Sequence, residues 1–397
     1  MQNTNWLSKA VIYHIFIDRF FQGGAHARRN SPPDHKPVFC GGNLQGIAEK
    51  MDYLQDLGIN AIWLSPFTKT TAYHGYHVTD FYRVEEHFGG ERGFATLRKA
   101  AKAAGIRLIM DFVPNHVHDT HPWFLEAKKN QRSRYRKWFY WQRNGDYLKF
   151  LDVGELPKLN LDHPPARAEI IKIAKYWMDQ GIDGFRLDHA LGPSLDFWGE
   201  FRRQLKQQNE EVALFAEVLF LGFQRQFLAT ILLPDKRLYY MADQLGFDVL
   251  GSTMREYSPM FDGLLDFHFQ RLCKKLIARG KKKIPDTQIQ EMLDEHYERF
   301  PDDCSLLSFL DNHDMNRFLF EAGRDKTKLK RAIELQFKQK SPPIIYYGNE
   351  VGMSQSGPVW GHYGDLQARR MMPWQGQDHA IRQIYKRAIQ KWKRAQS

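Results

Sequence analysis

Eight short apolar runs punctuate the 397-residue chain, most of them followed by enough residues for a helix. They predict strands at Ala10–Phe16, Ala61–Leu64, Arg107–Phe112, Gly184–Leu187, Ala213–Val218, Leu264–Phe269, Leu306–Leu310 and Ile344–Tyr347. A half-solvated sheet would alternate apolar with polar residues. These runs are apolar nearly throughout and rich in β-branched and aromatic side chains, the mark of strands buried on both faces. Helical stretches lie between them. Gly93–Ala104 stops at Gly105, a residue suited to the left-handed position after a helix. Ala166–Gln180 repeats apolar residues at Ile170, Ile173, Ala174 and Trp177, and Leu195–Gln208, Lys328–Gln339 and the basic Ala380–Ala395 are similar. Parallel neighbours need crossover connections, and eight strand–helix units close most economically into a (β/α)8 barrel. The stretch from Phe220 to Tyr257 is long enough to hold an additional element.

One connection breaks the rhythm. From Val117 to about Pro165 the chain runs too far for an ordinary loop and carries Trp123, Trp138, Phe139, Tyr140, Trp141 and Tyr147. We read residues 117–165 as a small subdomain inserted after the third strand. Residues 1–116 and 166–397 then form the two parts of the barrel, with no C-terminal β-domain.

Composition narrows the function classes. Aromatic residues make up 14% of the chain, which suits either an aromatic core or the stacking of sugar rings. The formal net charge is +11, but the basic residues are dispersed. Their densest runs, Arg279–Lys283, Arg132–Lys137 and Lys386–Arg394, are short and read as solvated faces, so nucleic acid is not an expected partner. The three cysteines, Cys40, Cys273 and Cys304, make neither a disulfide framework nor a metal spacing. With no signal-peptide pattern in the sequence given and no apolar run of about 18 residues, a cytoplasmic protein without a membrane partner is expected. The oligomeric state is not legible.

The strand ends carry the chemistry, as barrel architecture requires. The third strand ends in DFVPNH (Asp111–His116), the fourth in GFRLDH with Arg186 and Asp188, the fifth in LFAEV with Glu217, and the seventh in SFLDNHD with His313 and Asp314. A lone strand-end Asp is usually a cap or turn former, and a lone His a structural hydrogen-bonding group. Several like charges in one cleft are costly, so their convergence points to chemistry. Glycoside hydrolysis needs one carboxylate to attack the anomeric carbon and one carboxylic acid to protonate the leaving oxygen. Arg186 and Asp188 are two apart, hence on one face of the strand, and the guanidinium would keep Asp188 ionised as nucleophile. Glu217, among like charges and apolar neighbours, would have a raised pKa and act as acid. A retaining enzyme would hold these carboxyls about 5–5.5 Å apart. Asp314 suits binding of sugar hydroxyls as the ring flattens.

DFVPNH, GFRLDHA, LFAEV and FLDNHD resemble, in order and spacing, the four signature regions of the α-amylase superfamily. AIWLSP resembles its second-strand motif, Gly348–Gly352 (GNEVG) its eighth-strand motif, and YHGYHVTDFYRV the loop supplying a stacking tyrosine. The resemblance implies Asp188 as nucleophile, Glu217 as acid/base and Asp314 as transition-state stabiliser. It also implies Arg186, His116 and His313 as sugar and carboxylate contacts and Tyr76 as stacking platform. LPKLN, Leu156–Asn160, and the preceding RYRKWFYW are similar to the neopullulanase, cyclomaltodextrinase and maltogenic amylase group, whereas oligo-1,6-glucosidases have Asp at the place of Lys158. Cleavage mainly of α-1,4 bonds in maltooligosaccharides, cyclodextrins, pullulan or starch is implied. A 4-α-glucanotransferase or other α-glucosyl transferase, and a non-catalytic glucan-binding or transporter-partner barrel, are the alternatives.

Three departures from that group are expected: no N-terminal β-sandwich, no C-terminal β-domain, and no calcium. Calcium-binding members place His where this chain has Gly192, and Phe21–Asn30 lacks the acidic pattern of a first-loop site. Asn115 alone does not make a site. The 16 histidines, among them His26, His35, His74 and His77, show no metal-ligand spacing. The expectation is therefore an enzyme with neither cofactor nor metal.

Overall fold

Eight strands close into a barrel in a computed structural model that describes residues 6–24, 36–219, 249–282, 284–362 and 364–396. They are β1 (Ile12–Ile15), β2 (Ala61–Leu64), β5 (Arg107–Phe112), β6 (Gly184–Leu187), β7 (Ala213–Ala216), β8 (Gly263–Leu265), β9 (Ser305–Phe309) and β10 (Pro343–Tyr346). Two further strands, β3 (Thr68–Thr70) and β4 (Val78–Val84), make a separate two-stranded sheet. The barrel order is β1-β10-β9-β8-β7-β6-β5-β2, with β2 paired back to β1. The pairs of β1 with β2 and β10, of β10 with β9, and of β7 with β6 and β8 are parallel. Strands β1, β2, β6, β7, β8 and β10 are buried along their whole length, which is why they read as largely apolar runs, with His14 in β1 and Arg186 in β6 as buried exceptions.

Helices follow the expected pattern. Leu195–Gln208 has the expected bounds, opened by the Ser194 side chain accepting from Phe197 N and closed at Asn209. The helix at Gly90–Ala104 ends at Gly105, whose positive φ of 65° reverses the chain. Pro164 and Pro165 start Pro164–Asp179, where a missing N–H costs nothing. In His379–Gln396 the residues Ile381, Tyr385, Ile389 and Trp392 form one buried stripe, while Arg382 and Lys386 hold Asp56 at 2.8 and 2.6 Å.

The sixth strand is shorter than expected. β8 stops at Leu265, and the remainder of the predicted run becomes the helix Phe267–Cys273. Asp266 accounts for the switch, since its side chain accepts from Phe269 N at 2.9 Å and caps a helix inside an apolar run that has no diagnostic periodicity. Within the long stretch before β8, a helix spans Val249–Tyr257, and residues 220–248 lie outside the described residues.

By their contacts the residues fall into two units, Met1–Ser65 with Val84–Ile109 and Leu265–Ser397, and Pro66–Arg83 with Met110–Leu264. The second unit holds the long connection. It contains the helix Pro122–Lys129 and is laced by antiparallel bridges His116–Lys158, Phe139–Leu159, Trp141–Tyr147 and Lys149–Pro157. Its aromatic residues pack on one another: Trp123 meets Trp138 edge-on at 4.7 Å between centroids, and Phe124 meets Tyr147 at 4.7 Å. Part of the aromatic excess thus serves packing.

Candidate active site

Arg186 and Asp188 leave β6 on the same side, as their spacing requires, and Glu217 follows β7 directly. The Arg186 side chain is fully buried and faces three carboxylates. Nη1 lies 2.8 Å from Asp111 Oδ1 and 2.7 Å from Asp188 Oδ1, and Nη2 lies 2.8 Å from Glu217 Oε2. Glu217 Oε2 also accepts from His189 N at 3.3 Å, and His189 holds a positive φ of 43°. The sequence expectation of Arg186 beside Asp188 alone is therefore incomplete. One planar fork serves both carboxyls of the expected pair, so its charge does not by itself divide them into base and acid.

The third of those carboxylates belongs to Asp111, which was expected only as the start of a motif. It has no exposed surface, bonds Arg186 on one oxygen, and accepts from Tyr76 Oη at 2.9 Å on the other. Burial pushes its carboxyl up to about 7, against the pull of Arg186 and with the push of Asp188. Tyr76 is held where it can do this by Gly75. The glycine has φ of 85°, and a Cβ there would sit 1.9 Å from Pro66 O. Tyr76 N is also bound to His74 Nδ1 at 3.1 Å, and its ring is half-buried.

His116 lies beyond β5 and stacks on Phe150 at 4.5 Å between centroids. Burial, then the neighbouring His77, push its imidazole down to about 3, leaving it neutral at neutral pH. Phe150 in turn meets His189 edge-on at 4.8 Å. The LPKLN segment returns to this place: Leu159 N donates to Asn115 O at 2.9 Å and Val117 N to Pro157 O at 3.2 Å. Lys158 is buried, and its ammonium donates to Gly192 O at 2.9 Å.

That contact bears on calcium. A Cβ at Gly192 would fall 2.0 Å from Asn115 Oδ1, so a larger residue at 192 would displace the Asn115 side chain. Asn115 Oδ1 is buried and has no hydrogen-bond partner among the described residues. One amide oxygen beside a lysine ammonium falls well short of the roughly six to eight oxygens a calcium ion takes.

Asp314 and His313 follow β9 and form a cluster of their own. Arg369 Nη2 lies 2.8 Å from Asp314 Oδ1, and His313 Nε2 lies 3.1 Å from Asp314 Oδ2. Arg369 Nε donates to His313 O at 3.0 Å, and Asp365 holds its Nη1 at 2.6 Å. The His313 ring is buried edge-on against His14 at 5.1 Å, and His14 is stacked on Trp63 at 3.6 Å. Asp314 itself is 39% exposed on its side chain, so it faces solvent from a fixed mount. The structure thus gathers Tyr76, Arg186, Asp188 and Glu217 around Asp111, sets His116 on Phe150, and ties His313 to Asp314 through Arg369. Asp111 and Arg369 were missed as site residues. Asp111 stands at a strand end and was discoverable, whereas Arg369 lies in an irregular stretch with no pattern to mark it.

Comparison with known proteins places the chain in a family. The family model described as "Alpha amylase, catalytic domain" matches residues 14–395. Alpha-amylase 2 of Dictyoglomus thermophilum is 34% identical over 389 residues, covering 97% of this chain and 63% of that protein. A cyclomaltodextrinase from a Bacillus species is 32% identical over 399 residues, covering 95% of this chain and 64% of that protein. Among solved structures, the ligand-free cyclic alpha-maltosyl-(1→6)-maltose hydrolase of Arthrobacter globiformis superposes with a TM-score of 0.79 at 25% identity, covering 98% of this chain and 85% of the other. The chain spans a little under two thirds of the length of the two curated relatives. Among the described residues no helix is long and apolar enough to cross a membrane.

Proposed function

The chain belongs to the α-amylase family, and from that premise we propose that it is a retaining α-glucan hydrolase acting mainly on α-1,4 bonds. The observation that carries the reading is the buried Arg186 joined to Asp188 and Glu217 at 2.7 and 2.8 Å on adjacent, parallel strands. Asp188 attacks the anomeric carbon and forms the glucosyl-enzyme, while Glu217 protonates the departing glycosidic oxygen. Water, deprotonated by Glu217, then releases the sugar and restores both groups. Arg186 orients both carboxyls through one rigid fork. Tyr76 offers a ring face to the sugar at the cleaved bond, fixed by its bond to Asp111. His116, His313 and Asp314 bind sugar hydroxyls. The neutral state of His116 suits that role, since it can both donate and accept.

Small linear or cyclic glucans are the favoured substrates. The support is the LPKLN segment, with Lys158 fixed on Gly192 O, together with the names of the cyclomaltodextrinase and neopullulanase relatives. Neither calcium nor an organic cofactor enters the mechanism, in keeping with the poor fit at Asn115 and Gly192. A cytoplasmic location fits three buried cysteines that form no disulfide.

The test is product chromatography of wild type and Asp188→Asn on maltoheptaose, β-cyclodextrin, pullulan and soluble starch, with and without chelator. Shorter maltooligosaccharides from wild type alone, undiminished by chelator, are expected. Longer products would reassign the enzyme as a transferase, and folded wild type that leaves every glucan intact would end the α-glucanase reading.

A further inference from the structure

Away from the carboxylates, three potential ligands from separate segments meet. His77 precedes β4, His118 lies beyond β5, and Glu155 sits on the return of the long connection. One ligand atom from each lies within 4.8 Å of the other two. The backbone fixes the encounter: His118 N donates to Val78 O at 2.9 Å and Asp119 N to Glu155 O at 2.8 Å. The two imidazoles lie nearly parallel, with centroids 5.3 Å apart and planes at 28°. Intervals of 41 and 37 residues hide this set from any spacing rule, which is why the histidines read as chance in the sequence.

We propose that His77, His118 and Glu155 bind a divalent zinc-like cation. Two imidazoles and a carboxylate are a borderline-soft nitrogen and oxygen set, suited to zinc and wrong for calcium or magnesium, which take oxygens. A tetrahedral zinc site spaces its ligand atoms by about 3.4 Å, so modest side-chain rotation closes the observed set. His118 carries the outer partner that zinc-binding histidines require. Its Nδ1 lies 2.7 Å from Thr120 Oγ1 and 3.3 Å from Asp119 Oδ1, partners that fix the orientation of the ring. Glu155 is exposed and His118 buried, so the ion enters from solvent and a fourth position is open to water. The ion would tie the long connection to the residue before β4, as a brace for the fold of this unit and not for turnover. It takes no part in bond cleavage.

The test uses chelator-stripped, untagged protein titrated with zinc chloride by calorimetry, with thermal unfolding scans at each metal level. Wild type is expected to bind one zinc and to unfold a few degrees higher when loaded. Glu155→Gln should weaken binding at least tenfold, and His77→Ala with Glu155→Gln should abolish the site. Glu155 is exposed and its side chain accepts no backbone cap, so that variant tests the site even if the histidine variant folds poorly. X-ray absorption at the zinc edge should show two imidazole nitrogens. The proposal is overturned if stripped wild type binds no zinc, if Glu155→Gln binds it as tightly as wild type, or if calcium binds there and zinc does not.

Discussion

Replacing Arg186 with methionine keeps much of the side chain's bulk and removes a guanidinium facing three carboxylates. Asp188 and Glu217 retain 10% and 12% of their side-chain surface and can recover some hydration. Asp111 has none, so its charge is stranded when its partner goes. Removing one member of a buried pair typically costs about 3–5 kcal/mol, and we assign most of that loss to Asp111. The assignment has two consequences. Arg186→Met with Asp111→Asn should recover at least about 2 kcal/mol, whereas Arg186→Met with Glu217→Gln should recover little. The penalty should also grow with pH. A carboxyl whose folded pKa, here about 7, exceeds its unfolded value favours the folded state below the unfolded pKa, and that contribution is lost as pH rises through 7. Without Arg186 the folded pKa rises further and the loss at pH 8 exceeds that at pH 5. Urea unfolding followed by tryptophan fluorescence at both pH values measures this. An Arg186→Met protein within about 1 kcal/mol of wild type, or an Asp111→Asn change that restores nothing, would refute the electrostatic account.

Other perturbations test the remaining assignments. Glu217→Gln should cut turnover of maltoheptaose by about a thousandfold or more, yet much less on an aryl maltoside with an acidic phenol, whose departure needs no proton; equal losses would remove Glu217 as acid. Tyr76→Phe should keep KM within about threefold while losing about 1 kcal/mol of stability with its bond to Asp111, and Tyr76→Ala should raise KM at least tenfold, both by steady-state kinetics and urea melts. Burial holds His116 and His121 down to about 3, so between pH 6.5 and 3 the unfolded chain binds protons that the folded one refuses. Stability should fall with pH there by roughly 3 kcal/mol per unit from the pair, offset by about half near pH 5 through Asp111. His121→Asn, which can still accept the helix-opening bond from Trp123 N, should flatten that slope by about 1.4 kcal/mol per unit.

Much of this molecule is written in local sequence. A strand buried on both faces is mostly apolar, so β2, β5 and β6 appear as short apolar runs with the bounds later observed, broken within β5 and β6 by the buried Asp111 and Arg186 of the site. A helix that reverses at its end favours glycine there, so Gly105 announces the end of its helix. Period-2 geometry alone puts Arg186 and Asp188 side by side. Local sequence fails where a local rule has two solutions, as in the run after Leu264, where the Asp266 cap rather than hydrophobicity ended the strand. It fails again where chemistry depends on residues remote in the chain. Asp111 reaches Arg186 across 75 positions, Arg369 reaches Asp314 across 55, and His77 meets His118 and Glu155 only because β4, the end of β5 and the long connection share a backbone hydrogen-bond frame. Periodicity governs which way a side chain leaves its own element. Which charges it then meets, and at what cost in solvation, is decided by the elements packed beside it.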